Sequence, residues 1–443
     1  MMKKKRSDRD TFNLRIPLII FVSTLLMAGL VMLYSTTSSV NGLKTVFNQL
    51  TYILIGIIAA FTIRKIDYRR IGFYSLGILV LVMIPLGYLA AARYLLDENI
   101  VSSMPFTKMI KGACRWIKLP FFNIQPSEFA KIAIILYLSY FYEKHQRHIL
   151  SLSAPSKWLK LPIIKPLSAF CRIVVKPVRP FLNAICRPFK PLFLFILKLI
   201  PPKVVMVSFL LTGITTALIF AGKNLSVTVV CGMLIILMSF FAGVRLRYFL
   251  AVIIAALSIA AVDFYILEPD QRIIFKEYRM KRLSSFTNPE KVKDEEGYQL
   301  WRSQLALGSG GVAGQGFTNS ILKNEYIPEA HTDFILAIIG EELGFVALLI
   351  LLFTFLGLVT IGFMISARAR DYMGAYLAAG VSTSILLHTL VNYSVMCGLF
   401  PTTGLTLPFI SYGGSSMLAN LIGIGFLLSV EKHSNEKKIG QKK

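Results

Sequence analysis

Long apolar stretches, each close to the length that crosses a lipid bilayer, constrain the fold of this chain more than any other feature. A helix needs about 20 mostly apolar residues to span the hydrocarbon core, where only helices and closed barrels satisfy every backbone hydrogen bond. We locate such stretches near residues 14–35, 46–63, 71–92, 126–142, 204–222, 224–243, 248–267, 333–364, 373–397 and 409–430. The sequence therefore predicts an all-α integral membrane protein with about ten transmembrane helices, built as a single membrane domain over residues 1–443. A hydrophobic share of 55% agrees with this class and exceeds that of most soluble chains.

The distribution of Lys and Arg predicts which end of each helix faces the cytoplasm. Basic residues cluster at the N-terminus and at 64–70, 245–247, 368–370 and 437–443. In a ten-helix arrangement these clusters share one side, and the positive-inside rule makes that side cytoplasmic. We therefore expect both termini inside, residues 93–125 outside, and a large outer loop, 268–332, between the seventh and eighth helices. The first apolar run is too long for a cleaved signal peptide, so we take it as the first span.

The formal net charge of +25 comes partly from residues 144–203, a segment without Asp or Glu that interleaves basic residues with proline and apolar runs. Such a cytoplasmic loop suits anionic membrane lipid, at about 1 kcal/mol per basic residue near the surface. The location of these basic residues argues against a nucleic-acid partner. The alternative to lipid binding is a spacer whose lysines reach the membrane surface. The five cysteines show neither paired nor metal-ligand spacing, so we predict no disulfide.

Tyr298 to Gly344 carries the densest mixture of ionisable and glycine residues beside an apolar span. Ionisable groups at membrane depth mark a functional site by default. Glu341 and Glu342 lie within the span itself. They either belong to such a site or pair with basic residues and only hold helices together. The glycines of 308–316 do not form a phosphate-binding P-loop, because no Gly-Lys-Ser/Thr follows them.

Two further polar segments adjoin spans. Pro126 suits the first turn of a helix, Glu128 meets the positive end of its dipole, and Lys131 lies on the same face as Glu128. This pattern indicates either an internal ion pair or a polar cavity entered from outside. Residues 398–416, rich in Gly, Pro and hydroxyl groups, cannot lie against lipid and must line protein or water. His388, a lone histidine in a span, is more often a helix-to-helix hydrogen bond than a catalyst.

The large outer loop supplies charges of both signs. Cations cluster in 276–282 and acids in 288–296. The two groups could neutralise each other as a solvated surface. They are also what a reaction with a phosphate leaving group requires, since Arg and Lys stabilise the departing charge and a carboxylate takes a proton from the attacking hydroxyl.

Several motifs, in this order, together resemble one family. They are GACRWIKL (112–119), QPSEFAK (125–131), YQLWRSQLALGSGGVAGQG (298–316), IPEAHTDFILAIIGEELG (327–344) and GLFPTTGLTLPFISYGGSS (398–416). The chain is similar over nearly its whole length to the SEDS family of bacterial cell-wall proteins, which comprises FtsW, RodA and SpoVE. The motifs PEAHTDF, GEELG and GLTLP are most like those of FtsW, the division member.

The resemblance implies a peptidoglycan glycosyltransferase of the cytoplasmic membrane that polymerises lipid II at its outer face for septal wall synthesis. It also implies a class B penicillin-binding transpeptidase and other divisome proteins as partners. A divalent cation, Mg²⁺ or Mn²⁺, is expected at the diphosphate of the substrate, with no protein ligand assigned and no other cofactor. The alternatives are a lipid II flippase, an elongation polymerase like RodA, and a scaffold that only recruits the transpeptidase.

The resemblance also suggests site residues. The family's catalytic Asp lies between Asn-Pro and Tyr-Gln, a place that Val292 occupies here when counted without gaps. We predict Asp294 as the base, with Glu290 in reserve. The substrate-binding residues we expect are Arg115, Trp116, Gln125, Glu128, Lys131, Arg279, Lys281, Arg282, Glu329, His331, Asp333, Ser411 and Ser415. Two other departures are Gly222–Ser226, where relatives usually show a Pro-Asp-Leu-Gly-Thr turn, and the long 144–203 loop.

Overall fold

A computed structural model describes residues 13–37, 42–97, 100–101, 104–107, 113–119, 122–151, 203–265, 286, 298–321, 323 and 331–440. Within these ranges the helices are α1 (Arg15–Thr37), α2 (Gly42–Lys65), α3 (Tyr68–Phe73), α4 (Ser75–Asp97), α5 (Pro126–Ser151), α6 (Lys203–Ala221), α7 (Leu225–Phe241), α8 (Leu246–Tyr265), α9 (Tyr298–Gly310), α10 (Ile335–Arg368), α11 (Tyr372–Met396) and α12 (Gly414–Gly440). One short antiparallel hairpin joins β1 (Ile117–Lys118) to β2 (Asn123–Ile124).

Every predicted apolar stretch overlaps a helix, so the predicted class, an all-α membrane protein, is confirmed. In the described part of the chain α1, α2, α4, α10, α11 and α12 are long and apolar enough to cross a membrane, and α6 and α7 are apolar but shorter. Several bounds differ from those predicted. Helix α5 runs to Ser151 and so takes in the start of the predicted 144–203 loop, because Glu, Lys, Gln and Arg continue a helix well outside the apolar region. The predicted outer loops contain helix α9 and the hairpin.

Helices α5 and α11 lie at the centre of the bundle. Residues on all sides of α11 are buried, including Ser382, Thr383, His388 and Asn392, because α11 packs against α5, α7, α10 and α12. Helix α12 lies along α2, and α10 packs against α1, α9 and α11. Large apolar side chains on the outside of the bundle, on α1, α2, α4 and α10, are exposed and face the region that lipid would occupy.

Helix α10 is interrupted at Gly344, whose φ of 78° and ψ of −179° leave the helical region. The backbone groups freed by the break bond to the glycine-rich segment after α9. Gln315 N donates to Glu341 O (2.9 Å), Gly316 N to Glu342 O (3.0 Å) and Phe345 N to Gly311 O (3.0 Å). A side chain at Gly314 would collide with the backbone of Glu342. The glycines of this segment therefore allow close backbone contact, and the backbone groups freed by the break in α10 are hydrogen-bonded.

One end of the bundle is fixed by Asp371, the N-cap of α11. Its carboxylate accepts hydrogen bonds from Gly374 N (2.6 Å), the Tyr68 hydroxyl (2.8 Å) and Arg69 Nε (2.6 Å). Burial, followed by the contact with Asp371, raises the pKa of Tyr68. This group, which we call the Asp371 clamp, ties the short helix α3 to the start of α11.

Candidate functional site

Polar side chains from several helices meet at the end of α11 opposite the Asp371 clamp. We call this the polar end. It contains the starts of α5, α7, α10 and α12, the close of α11, and the segment 398–413 that joins α11 to α12. Residues far apart in the sequence come into contact there.

One buried group at the polar end is the Lys131 cluster, which consists of Glu128, Lys131 and His388. Lys131 Nζ lies 2.9 Å from Glu128 Oε2 and 2.6 Å from His388 Nε2. The three residues are 5%, 3% and 2% exposed, respectively. Spacing of i to i+3 brings Glu128 and Lys131 together on α5, while α11 supplies His388. The sequence left open an ion pair or a polar cavity, and the structure shows the ion pair.

A second set of contacts links the starts of α5, α7 and α12. The Ser415 hydroxyl accepts a hydrogen bond from Gln125 N (2.9 Å) and lies 3.3 Å from Asn123 O. Ser127 Oγ is within 3.1 Å of Gln125 Nε2 and 3.2 Å of Asn224 Nδ2. The predicted residues Gln125 and Ser415 are thus direct neighbours, one helical turn from Glu128.

The segment 398–413 folds back over the end of α11. Asn392 Nδ2 donates to Leu405 O (2.8 Å) and approaches Asp333 O (3.4 Å). Ser411 Oγ donates to Thr332 O (2.5 Å), and Tyr412 N donates to His331 O (2.9 Å). The backbone of a loop rich in Gly and Pro is thereby satisfied by protein groups, as its membrane location requires. These contacts bring the predicted residues His331, Asp333 and Ser411 together.

Arg115 and Trp116 lie to one side, in the segment before the hairpin. Arg115 Nη2 donates to Lys223 O (2.6 Å), and Trp116 is half-buried. Cys114 beside them is buried, and burial raises the pKa of its thiol. Leu86, Leu89, Cys114, Arg115, Ser127 and Asn224 line a small cavity that reaches the Ser127–Asn224 contact. The cavity connects the Arg115 segment to the start of α5.

Glu341 and Glu342 lie in a separate group. Glu342 accepts hydrogen bonds from Ser35 Oγ (2.6 and 2.7 Å) and forms a 2.8 Å ion pair with Lys323. Glu341 accepts from the Ser320 hydroxyl and from Ile321 N (3.1 Å). We call Glu342, Lys323 and Ser35 the Lys323 cluster. For Glu342, the interpretation that it pairs with a basic residue and holds segments together is the one the structure shows.

The other predicted site residues, Glu290, Asp294, Arg279, Lys281, Arg282 and Glu329, lie outside the described residues. Within the described ranges no three His, Cys, Asp or Glu side chains lie close enough to hold a metal ion. The sequence did not assign site roles to His388, Asn392, Asn224 or Lys323. A signal existed for His388 and Asn392, since residues four apart share a helix face. Which other helix they would meet could not be read from the chain.

Comparison with known proteins gives a consistent result. The family model FTSW_RODA_SPOVE, described as "Cell cycle protein", matches residues 16–177 and 198–436. A "Probable peptidoglycan glycosyltransferase FtsW" of Trichlorobacter lovleyi is 34% identical over 426 residues, covering 93% of this chain and 92% of the relative. A protein of the same description from Geobacter metallireducens is 33% identical over 408 residues, covering 91% of this chain and 90% of the relative.

The fold is also similar to that of a solved structure. A chain from "Structural coordination of polymerization and crosslinking by a peptidoglycan synthase complex" superposes with a TM-score of 0.65. The match covers 94% of this chain and 97% of the other, at 22% sequence identity. At that identity the likeness shows a shared fold.

Proposed function

This chain belongs to the FTSW_RODA_SPOVE family of cell cycle proteins, and from that membership we propose that it is a peptidoglycan glycosyltransferase of the cytoplasmic membrane. It polymerises lipid II into glycan strands and serves septal wall synthesis in division. The observation that carries the proposal is a buried ion pair at the polar end, in a chain whose relatives over nine-tenths of its length are named for this reaction.

The proposed topology has ten crossings, both termini in the cytoplasm and the polar end at the outer face. It is supported by the Asp371 clamp, which lies at the same end as the basic residues Arg64, Lys65, Arg368 and Arg370. The polar end is then the outer end. That position suits a substrate whose lipid tail stays in the bilayer while its sugars stand in water.

The reaction transfers one glycan to another with inversion. The 4-hydroxyl of one sugar attacks the anomeric carbon of the other, and the bond from that carbon to the diphosphate oxygen breaks. The hydroxyl proton passes to a carboxylate, and the electron pair leaves with undecaprenyl diphosphate. We assign the carboxylate to Asp294, with Glu290 in reserve, and the diphosphate to Arg279, Lys281 and Arg282. These assignments rest on the sequence.

The Lys131 cluster contributes a charged donor to this site. An ammonium has three hydrogens, and the described acceptors of Lys131 are Glu128 and His388. Among the described residues one hydrogen therefore has no acceptor, and we propose that an oxygen of the substrate accepts it. Glu128 balances the charge, so the cation is held at membrane depth without an uncompensated charge. We propose that Gln125, His331, Asp333, Ser411 and Ser415, which lie at the same end of the bundle, also contact the substrate.

Two further parts of the proposal concern binding. A divalent cation, Mg²⁺ or Mn²⁺, would supply positive charge that neutralises the diphosphate leaving group. Because no described set of side chains would hold it, no step is assigned to it. The partner we propose is a class B penicillin-binding transpeptidase within the divisome, in keeping with the peptidoglycan synthase complex that contains a chain of the same fold.

The rival function is a lipid II flippase, for which broken membrane helices would be expected to line the transport path. Helix α10 is broken, but the segment 311–316 bonds to the backbone at the break. This break therefore does not supply free backbone groups to a substrate. The observation favours the polymerase.

The decisive test is polymerisation of labelled lipid II by purified protein reconstituted with its transpeptidase in liposomes. Asp294→Ala should lower the rate by about 10²–10⁴-fold, the usual contribution of a general base. Glu296→Ala, in the same loop, is the matched control and should stay near the unsubstituted rate. If Asp294→Ala and Glu290→Ala each cost less than tenfold, the base is elsewhere. No polymer from the unsubstituted protein would favour the flippase, which a lipid II translocation assay would then reveal.

Topology is tested separately with single cysteines in a cysteine-free background. Cysteines at Ser103 and Ser284 should react with an impermeant reagent in intact cells, and one at Ser151 should not. Labelling at Ser151 from outside would contradict the ten-crossing arrangement.

A further inference from the structure

We infer that His388 is a positioning residue that fixes the direction of the Lys131 ammonium at the polar end and thereby controls which substrate oxygen it meets. The inference rests on the proposed function for its effect on turnover. The contact itself, 2.6 Å between Lys131 Nζ and His388 Nε2, stands independently of that function.

The contact sets the protonation state of the imidazole. An ammonium has only donors, so His388 Nε2 must accept and cannot carry a proton. The ring is then neutral with its proton on Nδ1. A doubly protonated ring would place a cation against Lys131, in a setting where both residues are at most 3% exposed. The Lys131 cluster therefore has a net charge of zero, from one carboxylate, one ammonium and one neutral imidazole.

Two acceptors on different helices fix the orientation of the Lys131 ammonium, which one acceptor cannot do. Glu128 belongs to the same helix as Lys131, and this pair alone would leave the ammonium free to rotate about the Glu128 contact. His388 comes from α11, so the two acceptors define two of the three N–H directions. The third direction then follows from the tetrahedral geometry of the ammonium. His388 thus converts a charge that is merely balanced into a donor with a defined orientation.

The face of α11 that carries His388 also contacts the segment 398–413, through Asn392. Asn392 lies one turn further along α11, and its Nδ2 bonds to Leu405 O and approaches Asp333 O. In the described part of the chain, His388 Nδ1 and Asn392 Oδ1 are buried without a hydrogen-bond partner. One is a donor and the other an acceptor, and the two residues lie four apart on one face of α11.

Two substitutions separate the two nitrogens of His388. His388→Gln places an amide oxygen where Nε2 lies and keeps an acceptor for Lys131. His388→Asn is shorter and keeps a polar group only near Nδ1. We expect His388→Gln to retain lipid II turnover within about threefold of the unsubstituted protein. We expect His388→Asn to lose about tenfold or more, because it removes a hydrogen bond to a charged group.

Thermal unfolding of the purified protein in detergent provides a readout that does not depend on catalysis. His388→Gln should unfold at a higher temperature than His388→Asn when Lys131 is present. In a Lys131→Met background the difference should shrink to the part that reflects the size and helix propensity of Gln and Asn, because no ammonium remains to donate to the amide oxygen. A temperature difference of the same size in both backgrounds would disprove the contact. A temperature difference with equal turnover would make the contact structural and overturn the positioning role. If the unsubstituted protein makes no polymer, the unfolding cycle alone decides whether the contact exists, and the proposed function fails separately.

Discussion

The Lys131 cluster and the Lys323 cluster each contain a buried lysine–glutamate ion pair. They differ in how many described hydrogen-bond acceptors surround the lysine ammonium. Each has a lysine whose side chain is 3% exposed and a glutamate at membrane depth, with N–O distances of 2.9 and 2.8 Å. Lys323 Nζ donates to Glu342, to Ser35 Oγ (3.2 Å) and to Thr318 O (2.8 Å), which uses all three of its hydrogens. Lys131 has two described acceptors.

The difference indicates which pair is structural. A lysine with three protein acceptors has nothing left for a ligand, and Lys323 joins the segment after α9 to α10 and to the end of α1. A lysine with two acceptors among the described residues, beside a histidine at the polar end, is suited to a site. Burial and ion pairing alone do not distinguish the two, because both pairs have them. The two pairs are distinguished by the number of described acceptors around each ammonium.

The largest effect is expected from Glu342→Gln. It leaves the Lys323 ammonium buried without a counter-charge, and breaking a buried pair on one side costs about 3–5 kcal/mol of folding free energy. Thermal unfolding in detergent should show a strongly lowered midpoint. The fraction that remains folded should still polymerise lipid II at the normal rate per molecule. An unchanged midpoint would mean that the Lys323 cluster does not hold the fold.

Removing both charges of a pair should separate stability from turnover. Lys323→Met with Glu342→Gln should recover much of the stability lost in Glu342→Gln alone, because no unpaired charge remains buried. Turnover should stay normal. Glu128→Gln with Lys131→Met should likewise unfold near the normal temperature, but its polymerisation rate should be about tenfold or more lower. Equal turnover in the two double variants would erase the distinction between the clusters.

A smaller effect is expected from Ser35→Ala. Its hydroxyl lies 2.6 and 2.7 Å from the two oxygens of Glu342, and the loss of a hydrogen bond to a charged group costs about 1.5–3 kcal/mol. The unfolding midpoint should fall by less than in Glu342→Gln. Thr354→Ala on α10 is the matched control, since the Thr354 hydroxyl bonds to Ile350 O of its own helix (2.7 Å) and to no other described group. Equal midpoints for the two variants would contradict the role of Ser35.

The smallest effect is expected at the Asp371 clamp, far from both clusters. Tyr68→Phe removes one donor from a carboxylate that keeps Arg69 and Gly374 N, so its cost should lie at the lower end of the range for a bond to a charged group, about 1.5 kcal/mol. Because the sites are distant, its effect should add to that of Ser35→Ala, with turnover unaffected. The measurement is thermal unfolding of the double variant. A midpoint shift clearly different from the sum of the two single shifts would indicate coupling between the ends of the bundle.

The sequence predicted much of this arrangement for identifiable reasons. The spacing of Glu128 and Lys131 predicted that they share a helix face, and the structure confirms their contact. The composition of 398–416 predicted a segment shielded from lipid, and its hydrogen bonds to α11 and to residues 331–333 agree with this. The sequence could not say that His388 meets Lys131, because that contact depends on the packing of α5 against α11. It likewise showed two neighbouring glutamates, Glu341 and Glu342, without their different partners.

The sequence by itself determined the properties that depend on neighbouring residues along the chain. Apolar length specifies membrane helices, charge asymmetry predicts their direction, and motif order identifies the family. The tertiary structure decided which polar groups meet, because a buried ammonium takes its acceptors from whichever helices pack around it. Glu342 lies next to Glu341 in the chain but bonds to Ser35, 307 positions away, and Lys131 reaches His388 across 257 positions. Such partners are chosen by three-dimensional proximity in a medium that provides no water to substitute for them.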